Sequence, residues 1–277
     1  MKENIKFSVL LCVYYKDNCD HFKAALESVV SQTLIPNELV IVCDGKLTTA
    51  LDKIINEYEK KYKFIKVCRI KKNSGHGNAR RLGIDTCSNN LIALMDADDI
   101  SVKDRFEKQI KIFEKYPDIS VVGGYIYEFI DSVENIIGSR ELPEKDKQIK
   151  EYMKKRCPMN QVTVMFKKDA VISSGNYIDW YCEEDYYLWI RMAEHNYRFY
   201  NIQENLVYVR VGNEMYSRRG GIKYYKSEKR VQKYMYDNKI INFFEYQYNI
   251  LIRFVAEVIL PNGIRGFLYK RLLRNKK

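Results

Sequence analysis

The sequence predicts an α/β fold: one Rossmann-like domain with a mainly parallel central sheet flanked by helices, followed by a C-terminal helical extension. Two observations predict it. Apolar runs of strand length alternate with amphipathic segments in the first part of the chain, and polar or glycine residues follow each run. Strands separated by helices of this length form right-handed βαβ units and a parallel sheet. Ligands bind such sheets at the carboxyl ends of the strands, so we expect the functional site there.

The first four predicted strands alternate with three helices. Residues 7–13 form an uninterrupted apolar run, and the helix 48–62 places Leu51, Ile55 and Tyr58 at helical spacing. The predicted strands of this part are 7–13, 39–43, 64–70 and 91–95, and the helices are 19–31, 48–62 and 78–86. The second part is more mixed, with helices at 102–116 and 185–195 and strands at 120–129, 136–140, 161–166 and 206–211.

The composition fits a folded protein of a reducing compartment. Hydrophobic residues make up 46% of the 277, which favours a core over disorder. The seven cysteines form an odd set without a CxxC pair, so we expect neither a disulfide framework nor structural zinc. Residues 1–15 fit a first strand better than a signal peptide, and we expect a cytoplasmic protein.

The net charge of +11 is concentrated near the C-terminus. From Ser217 onward there are 15 Lys or Arg against 4 acidic residues, whereas the preceding 216 residues hold 32 of each. We therefore predict one domain over residues 1–215 and a basic, amphipathic helical tail over 216–277. Such a tail suits anionic lipid or another polyanion.

Two apolar stretches of this tail, residues 241–260 and 267–274, allow two interpretations. Glu245, Arg253 and Glu257 make the first stretch too polar for a spanning helix. Both stretches could be amphipathic helices that pack on the core. They could instead form an interfacial anchor, with Lys and Arg at lipid headgroups and aromatic residues beneath. We expect no nucleic-acid partner, because no recognised nucleic-acid module accompanies the basic residues.

The strongest local signal is the acidic segment DADD, residues 96–99, at the end of the fourth strand. Three carboxylates at a buried strand end are costly unless something neutralises them. A divalent cation with bound phosphate oxygens would do so, because Mg²⁺ prefers one or two carboxylates plus substrate phosphates. The alternative is a helix cap formed by Asp99 or Ser101. Capping leaves Asp96 unexplained, so the segment favours a metal and nucleotide site.

Two more strand-end loops carry candidate nucleotide contacts. Asp44 and the glycine after it could form a simple turn, but a carboxylate there can also accept the imide N–H of a uracil base. The GHG segment at 75–77 and Arg80 open a helix, where glycine N–H groups and an arginine suit a phosphate. The third glycine of a dinucleotide-binding GxGxxG motif is missing. His76 could lie on the loop surface or act directly.

The segment WYCEEDYYLW at residues 180–189 places three acids among aromatic residues at a helix start. The acids could form only a capping patch. Alternatively, the aromatic rings could stack on sugar faces while one partly desolvated carboxylate acts as a general base.

In this order, the segments SVLLCVYY, IVCDG, GHGNARRLGI, LMDADD and CEEDYYLW resemble the family 2 glycosyltransferases of the GT-A fold. The resemblance covers residues 6–211. It points to the bacterial branch that builds exopolysaccharide, capsule and O-antigen, including amylovoran-type transferases. It implies a nucleotide-binding half over residues 1–100 and an acceptor-binding half over residues 101–215.

The resemblance implies a role for each donor-side candidate. Asp44 would contact the uracil, Arg80 would lie near the base or the phosphates, and Asp96 would lie close to the ribose. Asp98 would bind the Mn²⁺ or Mg²⁺ that bridges the diphosphate. Further nucleotide contacts are expected at the end of the first strand, from Val13 and Tyr15.

On the acceptor side, Asp185 would be the general base, as the second residue of the family's ED pair. Glu184 is the alternative, because Glu183 adds a third acid and makes the register less certain. Two departures affect the donor side. The family's ARN element reads Ala79-Arg80-Arg81 here, so its asparagine is missing. The family's second strand often ends Asp-Asp-Gly-Ser, and here Cys43 and Lys46 replace the first and fourth of these, so the uracil contacts could differ.

Together these roles predict an inverting, metal-dependent transfer of a hexose at the inner membrane face. UDP-glucose or UDP-galactose is the favoured donor, and a polyprenyl-diphosphate-linked saccharide is the expected acceptor. A nucleotidyltransferase is one alternative, but its chemistry does not need an aromatic-flanked base. A non-catalytic nucleotide-sugar or polyanion binder is another, and the presence of Asp185 together with DADD argues against it.

Overall fold

The structure is a computed structural model that describes residues 5–212 and 220–261. Its strands are β1 (Phe7–Val13), β2 (Glu38–Asp44), β3 (Ile65–Ile70), β4 (Leu91–Asp96), β5 (Ile100–Ser101), β6 (Ile119–Phe129), β7 (Ile136–Arg140), β8 (Met165–Lys167) and β9 (Arg198–Arg210). Its helices are α1 (Cys19–Val30), α2 (Thr49–Lys61), α3 (His76–Thr86), α4 (Arg105–Lys115), α5 (Asp146–Met153), α6 (Lys168–Ser173), α7 (Glu184–Glu194), α8 (Ile222–Asp237) and α9 (Phe243–Phe254). There is also a 3₁₀ turn at Gln161–Thr163 and a π-helical turn at Val255–Ile259.

The strands form one sheet in the order β3-β2-β1-β4-β8-β6-β9-β5, with β7 beside β6. The first four strands are parallel, whereas β8 is antiparallel to both of its neighbours, β4 and β6. The predicted α/β fold, parallel at first and mixed later, is confirmed. From β1 the chain builds outward to β3 and then returns to the other side of β1 as β4. This reversal places a crevice at the carboxyl ends of β1 and β4, where open α/β sheets bind ligands.

The hydrophobic core lies on both faces of the sheet, because strand side chains alternate between them. Met95 in β4 joins the core shared with α1, α2 and α4, whereas Leu94 joins the core shared with α3 and α7. The same alternation turns Asp96 toward α3 and α7. Asp44, at the end of β2, falls on that face as well, since it lies two residues beyond Val42. The sheet thus delivers two carboxylates to the side on which α3 and α7 begin.

Helix α3 packs directly on the sheet at Gly83. A Cβ at this position would overlap Leu10 Cδ1 and lie 3.0 Å from Val42 Cγ2. A larger residue cannot fit there unless the helix or these side chains move. The glycine therefore sets the height of α3 above the sheet, and with it the position of Arg80 nearly one turn earlier.

One predicted strand is partly wrong. Of residues 161–166, Gln161–Thr163 forms a 3₁₀ turn, and only the last two belong to a strand, β8. The hydroxyl and the N–H of Thr163 both donate to the carbonyl of Asn160, at 2.7 and 2.8 Å. These local hydrogen bonds replace strand pairing. The strand predicted at 206–211 is the end of the longer β9.

The C-terminal helices α8 and α9 lie side by side, with Tyr225 and Phe254 in edge-to-face contact. Val231 and Met235 of α8 are fully buried in the core on the α7 face, so α8 packs on the body of the protein. Within the described ranges, the helices are too short or too polar to cross a membrane. The predicted apolar stretch 267–274 lies outside the described residues.

Candidate active site

Side chains from several strand ends meet at the N-termini of α3 and α7. These two helix starts are close together, since a Cβ at Gly77 would lie 3.7 Å from the Cβ of Glu184. Asp96 reaches the same place from the end of β4, and Asp44 holds the loop that leads into α3. The structure therefore brings the donor-side candidates Arg80 and Asp96 and the alternative base Glu184 into one crevice.

Asp44 organises the loop before α3. One carboxylate oxygen accepts hydrogen bonds from the N–H and the hydroxyl of Ser74, at 2.7 and 3.0 Å. The other accepts from the side-chain amide of Asn73 at 2.9 Å and from the N–H of Gly75 at 3.1 Å. Two N–H groups that could have faced a phosphate are therefore bound by Asp44. A uracil imide would have to share this carboxylate, and the uracil contact stays a prediction.

Arg80 links carboxylates from both sides of the crevice. It is only 2% exposed, and its Nη2 lies 2.6 Å from Asp96 Oδ1 while its Nη1 lies 3.9 Å from Glu184 Oε1. Burial alone would raise the pKa of Asp96, but Arg80 and the neighbouring His76 outweigh burial and hold that pKa below its usual value. Asp96 is therefore ionised at neutral pH.

His76 lies between the same two carboxylates. Its Nδ1 is 3.6 Å from Glu184 Oε1, its Nε2 is 4.0 Å from Asp96 Oδ1, and half of its side chain is exposed. Desolvation and the charge of Arg80 lower the pKa of His76, so the ring is neutral at pH 7. The sequence left the place of His76 open, and the structure puts it in the site.

Glu184 and Asp185 point toward different partners. Glu184 faces the donor side, whereas Asp185 accepts the N–H of Tyr186 at 2.7 Å and the thiol of Cys157 at 3.7 Å. Burial, with the added effect of Asp185, raises the pKa of Glu184 to about 7. Burial also raises the pKa of Asp185. Carboxylates with pKa values raised toward the working pH are suited to proton transfer.

Glu183 lies outside the crevice. Its side chain is buried against the C-terminal helices, where Tyr224 donates to it and Arg253 is nearby. Burial and the neighbouring Glu228 raise the pKa of Glu183. Of the three consecutive acids, only Glu184 and Asp185 are left for the crevice.

The DADD segment is hydrogen-bonded to Arg210 at the end of β9. The carboxylate of Asp99 is buried and accepts the N–H of Arg210 at 2.9 Å, and the Arg210 Nε donates to the carbonyl of Asp98 at 3.2 Å. Helix α4 begins after Asp104 and has no side-chain cap, so the capping interpretation of Asp99 or Ser101 is wrong. The side chain of Asp98 is exposed.

A divalent metal fits this part of the site. Within the described ranges, no three His, Cys, Asp or Glu side chains are arranged to hold a metal by themselves. Asp98 instead offers a carboxylate where negative charge accumulates. Burial raises the pKa of Asp17 to about 6, and burial raises that of Asp99 well above its usual value, with Asp98 and Asp96 adding to both shifts. A cation bound by carboxylate and phosphate oxygens would relieve this repulsion, as Mg²⁺ and Mn²⁺ do.

The other two nucleotide candidates lie at the end of β1. Val13 is buried in the core on the α1 face, so its backbone is the part that a ligand could reach. Tyr15 is 49% exposed and packs edge-on against Tyr14. Their contacts with a nucleotide stay predictions.

Sequence reasoning missed three neighbours of the site, namely Asp17, Cys157 and Arg210. Asp17 follows β1, and its position in a strand-end loop could have indicated it. Cys157 and Arg210 come from distant parts of the chain and carry no local pattern.

The family described as "Glycosyl transferase family 2" matches residues 8–178 of this sequence. The chain belongs to this family. The matched part of this glycosyltransferase contains Asp44, Arg80, Asp96 and Asp98, whereas Asp185 lies just beyond it.

Relatives match nearly the whole of this family 2 member. A protein of Haemophilus influenzae described as an uncharacterized glycosyltransferase is 38% identical, over 98% of this chain and 100% of its own length. The UDP-Gal:alpha-D-GlcNAc-diphosphoundecaprenol beta-1,3-galactosyltransferase of Escherichia coli is 34% identical, over 97% of each chain. The amylovoran biosynthesis glycosyltransferase AmsE of Erwinia amylovora is 32% identical, over 96% of this chain and 98% of its own. The predicted resemblance is confirmed, and the protein is a glycosyltransferase.

Solved structures share the fold at low sequence identity. The mannosyltransferase PcManGT of Pyrobaculum calidifontis, in complex with GDP-Man and Mn²⁺, has a TM-score of 0.63 at 11% identity and aligns over 95% of this chain and 72% of its own. TarS of S. aureus has a TM-score of 0.62 at 16% identity, over 92% of this chain and 44% of its own. These similarities confirm the predicted GT-A fold.

Proposed function

We propose that this glycosyltransferase moves a hexose from a UDP-sugar to a saccharide carried on a polyprenyl diphosphate, in the synthesis of a cell-surface polysaccharide. The observation that carries the proposal is the position of Arg80, 2.6 Å from Asp96 and 3.9 Å from Glu184. Two carboxylates, one from the end of β4 and one from the start of α7, thus flank one cation. The activity by which the Escherichia coli relative is named, with UDP-Gal as donor and a diphosphoundecaprenol-linked acceptor, supports these substrate classes. UDP-galactose and UDP-glucose are the donors that we favour.

Asp185 is the proposed general base. It takes the proton of the acceptor hydroxyl while that oxygen attacks the anomeric carbon. The bond from this carbon to the diphosphate breaks on the opposite face and UDP leaves, so an α-linked donor gives a β-glycoside. The raised pKa of Asp185 supports this role, because a general base works best when its pKa approaches the working pH. Glu184 is the alternative base, but its contacts with Arg80 and His76 favour a role in holding the donor side.

On the donor side, Asp44, Arg80 and Asp96 are proposed to bind the nucleotide. Burial alone would lower the pKa of Arg80, but Asp96 and Tyr177 raise it, so the guanidinium stays charged and can stabilise the departing diphosphate. Asp98 would hold a Mn²⁺ or Mg²⁺ ion, which when bound supplies further charge stabilisation to the leaving group.

An acceptor on a polyprenyl chain lies in a membrane. We therefore propose a peripheral protein at the inner face of the cell membrane, which contacts anionic lipid through its basic C-terminal region. In this view residues 1–215 form the catalytic domain, and residues 216–277 form the membrane-facing extension.

Titration calorimetry with UDP tests the donor half. We expect UDP binding that requires Mn²⁺ and is lost in Asp98→Ala. The matched control is Glu114→Ala, an exposed acid on α4 that should bind UDP as the unchanged protein does. UDP binding that is indifferent to both metal and Asp98 would rule out the metal site, and no UDP binding under any condition would rule out the donor. A positive result is followed by turnover assays that compare UDP-galactose with UDP-glucose.

A further inference from the structure

The C-terminal helical segment 243–259 is amphipathic in the inverted sense. Its buried positions are polar and lie at helical spacing: Asn249, Arg253 and Glu257. Apart from Gln247, its exposed positions are apolar, and six of them form a stripe along the opposite side. This apolar stripe consists of Phe244 (81% exposed), Tyr248 (61%), Leu251 (61%), Ile252 (46%), Val255 (39%) and Ile259 (59%). A surface helix in water normally has the reverse arrangement.

Specific polar contacts fix this orientation. The Asn249 side chain donates to the carbonyl of Lys154 at 2.9 Å and to Gln232 at 2.8 Å. Arg253 donates to the carbonyl of Lys155 at 2.6 Å and forms an ion pair with Glu228 at 2.8 Å. Turning the apolar stripe inward would break these hydrogen bonds and the ion pair and would expose buried charge. These polar contacts therefore keep the stripe facing outward.

A basic surface accompanies the stripe. On α8, Lys226, Lys229 and Lys233 are exposed and are spaced by three and four residues, which puts them on one side of the helix. Glu228 is turned inward to Arg253, whereas Asp237 forms an ion pair with Lys233 at 2.8 Å. The positive charge that this row offers to a partner is therefore that of Lys226 and Lys229. Apolar and aromatic side chains on one helix, with lysines on the helix packed against it, match the interface of an anionic bilayer, with acyl chains beneath and headgroups above.

We propose that the apolar stripe of segment 243–259, with Lys226 and Lys229 of α8, docks on the surface of an anionic lipid bilayer. A second copy of this chain fits the stripe less well, because a two-fold interface would place the same lysine rows near each other. The proposal deepens the membrane contact of the proposed function by naming the surface that makes it. Its test uses neither donor nor acceptor. Membrane docking can therefore fail while the proposed glycosyl transfer holds, and the proposed glycosyl transfer can fail while membrane docking holds.

Flotation with lipid vesicles tests the docking surface. The full chain should float with vesicles of phosphatidylcholine containing phosphatidylglycerol and remain behind with phosphatidylcholine alone. Phe244→Ser/Leu251→Ser should lower the partition coefficient about tenfold or more, because two apolar side chains no longer leave water. Lys226→Glu/Lys229→Glu should also lower it about tenfold and flatten its salt dependence.

Two matched controls distinguish the docking surface from exposed residues of the same types elsewhere on the protein. Ile35 and Ile172 are both 45% exposed elsewhere on the protein, so Ile35→Ser/Ile172→Ser should float normally. The exposed residues Lys60 and Lys63 provide the charge control, Lys60→Glu/Lys63→Glu. Equal flotation of the stripe variant and the unchanged protein would overturn the proposal. So would a concentration-dependent dimer, measured by light scattering, that the stripe variant abolishes without changing flotation.

Discussion

Arg80 and Asp96 join helix α3 to the end of β4 through a 2.6 Å contact between Nη2 and Oδ1. The arginine side chain is 3% exposed and the aspartate side chain 30% exposed, so the pair is shielded on one side and open to the crevice on the other. A pair of nearly equal length, Arg69 and Asp52 at 2.7 Å, lies on the surface with side chains 48% and 35% exposed. The protein thus contains a largely buried ion pair and an exposed ion pair of similar length with which it can be compared.

A double-mutant cycle in urea should distinguish these two pairs. We expect a coupling free energy of about 1–3 kcal/mol for Arg80→Met and Asp96→Asn, because each residue loses its shielded partner. For Arg69→Met and Asp52→Asn we expect less than about 1 kcal/mol, because water screens exposed pairs. Equal coupling in the two cycles would mean that the crevice is as well solvated as the surface.

The choice between the two crevice acids can be made by kinetics. Asp185→Asn should lower kcat by about 10²- to 10⁴-fold, the usual worth of a general base, while UDP affinity stays unchanged. Glu184→Gln should weaken UDP binding more than it slows turnover, because Glu184 contacts Arg80 and His76. A reversed pattern, with turnover kept in Asp185→Asn and lost in Glu184→Gln, would transfer the role of base to Glu184.

Stability should fall with rising pH on account of Glu184. Its folded pKa of about 7, raised by burial and by Asp185, exceeds the usual value of 4.5, so the folded state holds a proton that the unfolded state releases. The stabilising effect is complete below pH 4.5 and lost as pH rises through 7. In metal-free urea titrations, the free energy of unfolding of Glu184→Gln relative to the unchanged protein should rise across this window, on the order of 1–3 kcal/mol. Glu114→Gln is the control and should track the unchanged protein at every pH.

The close packing of α3 makes Gly83 sensitive to a single methyl group. Gly83→Ala should lower the free energy of unfolding by about 1–3 kcal/mol, because the added Cβ overlaps Leu10. UDP affinity should fall as well, since Arg80 moves with the helix. Gly212→Ala is the control, because its Cβ would meet nothing within 4 Å. Unchanged thermal unfolding of Gly83→Ala would show that α3 can lift without cost.

Asn249 is expected to act as a positioning residue for the proposed base. It holds the carbonyl of Lys154, three residues before Cys157, whose thiol donates to Asp185. Asn249→Ala should therefore lower kcat about tenfold with UDP affinity unchanged, because small displacements of a reacting group are costly. The acidic limb of the pH–kcat profile should shift too. Gln247→Ala, on the exposed side of the same helix, should change neither kcat nor the pH–kcat profile. If Asn249→Ala lowers stability but leaves both unchanged, Asn249 contributes only to packing.

Local patterns predicted the four parallel strands β1 to β4 and the edge at which the site forms. The apolar run before DADD and the polar residues after β1 and β2 were enough to predict this edge, because in a parallel sheet all carboxyl strand ends lie at one edge. The pairing of Arg80 with Asp96 was not predictable, since it depends on the height of α3, which Gly83 sets through contacts with β1 and β2. The inward turn of Glu183 was missed for a similar reason. Its partners are on α8 and α9, and the packing of these helices on the body of the protein cannot be predicted from local sequence periodicity.

The short strand β8 has a consequence for how the chain folds during synthesis. β4 is complete at Asp96, yet its second edge is covered only when Met165 and its neighbours pair with it, and the same three-residue strand also pairs with β6. Until then β4 presents unpaired N–H and carbonyl groups, which invite pairing with other chains. The first four strands therefore cannot form a finished unit while the ribosome is still translating the following segment. A fragment that ends near residue 100 should associate through this edge rather than fold alone.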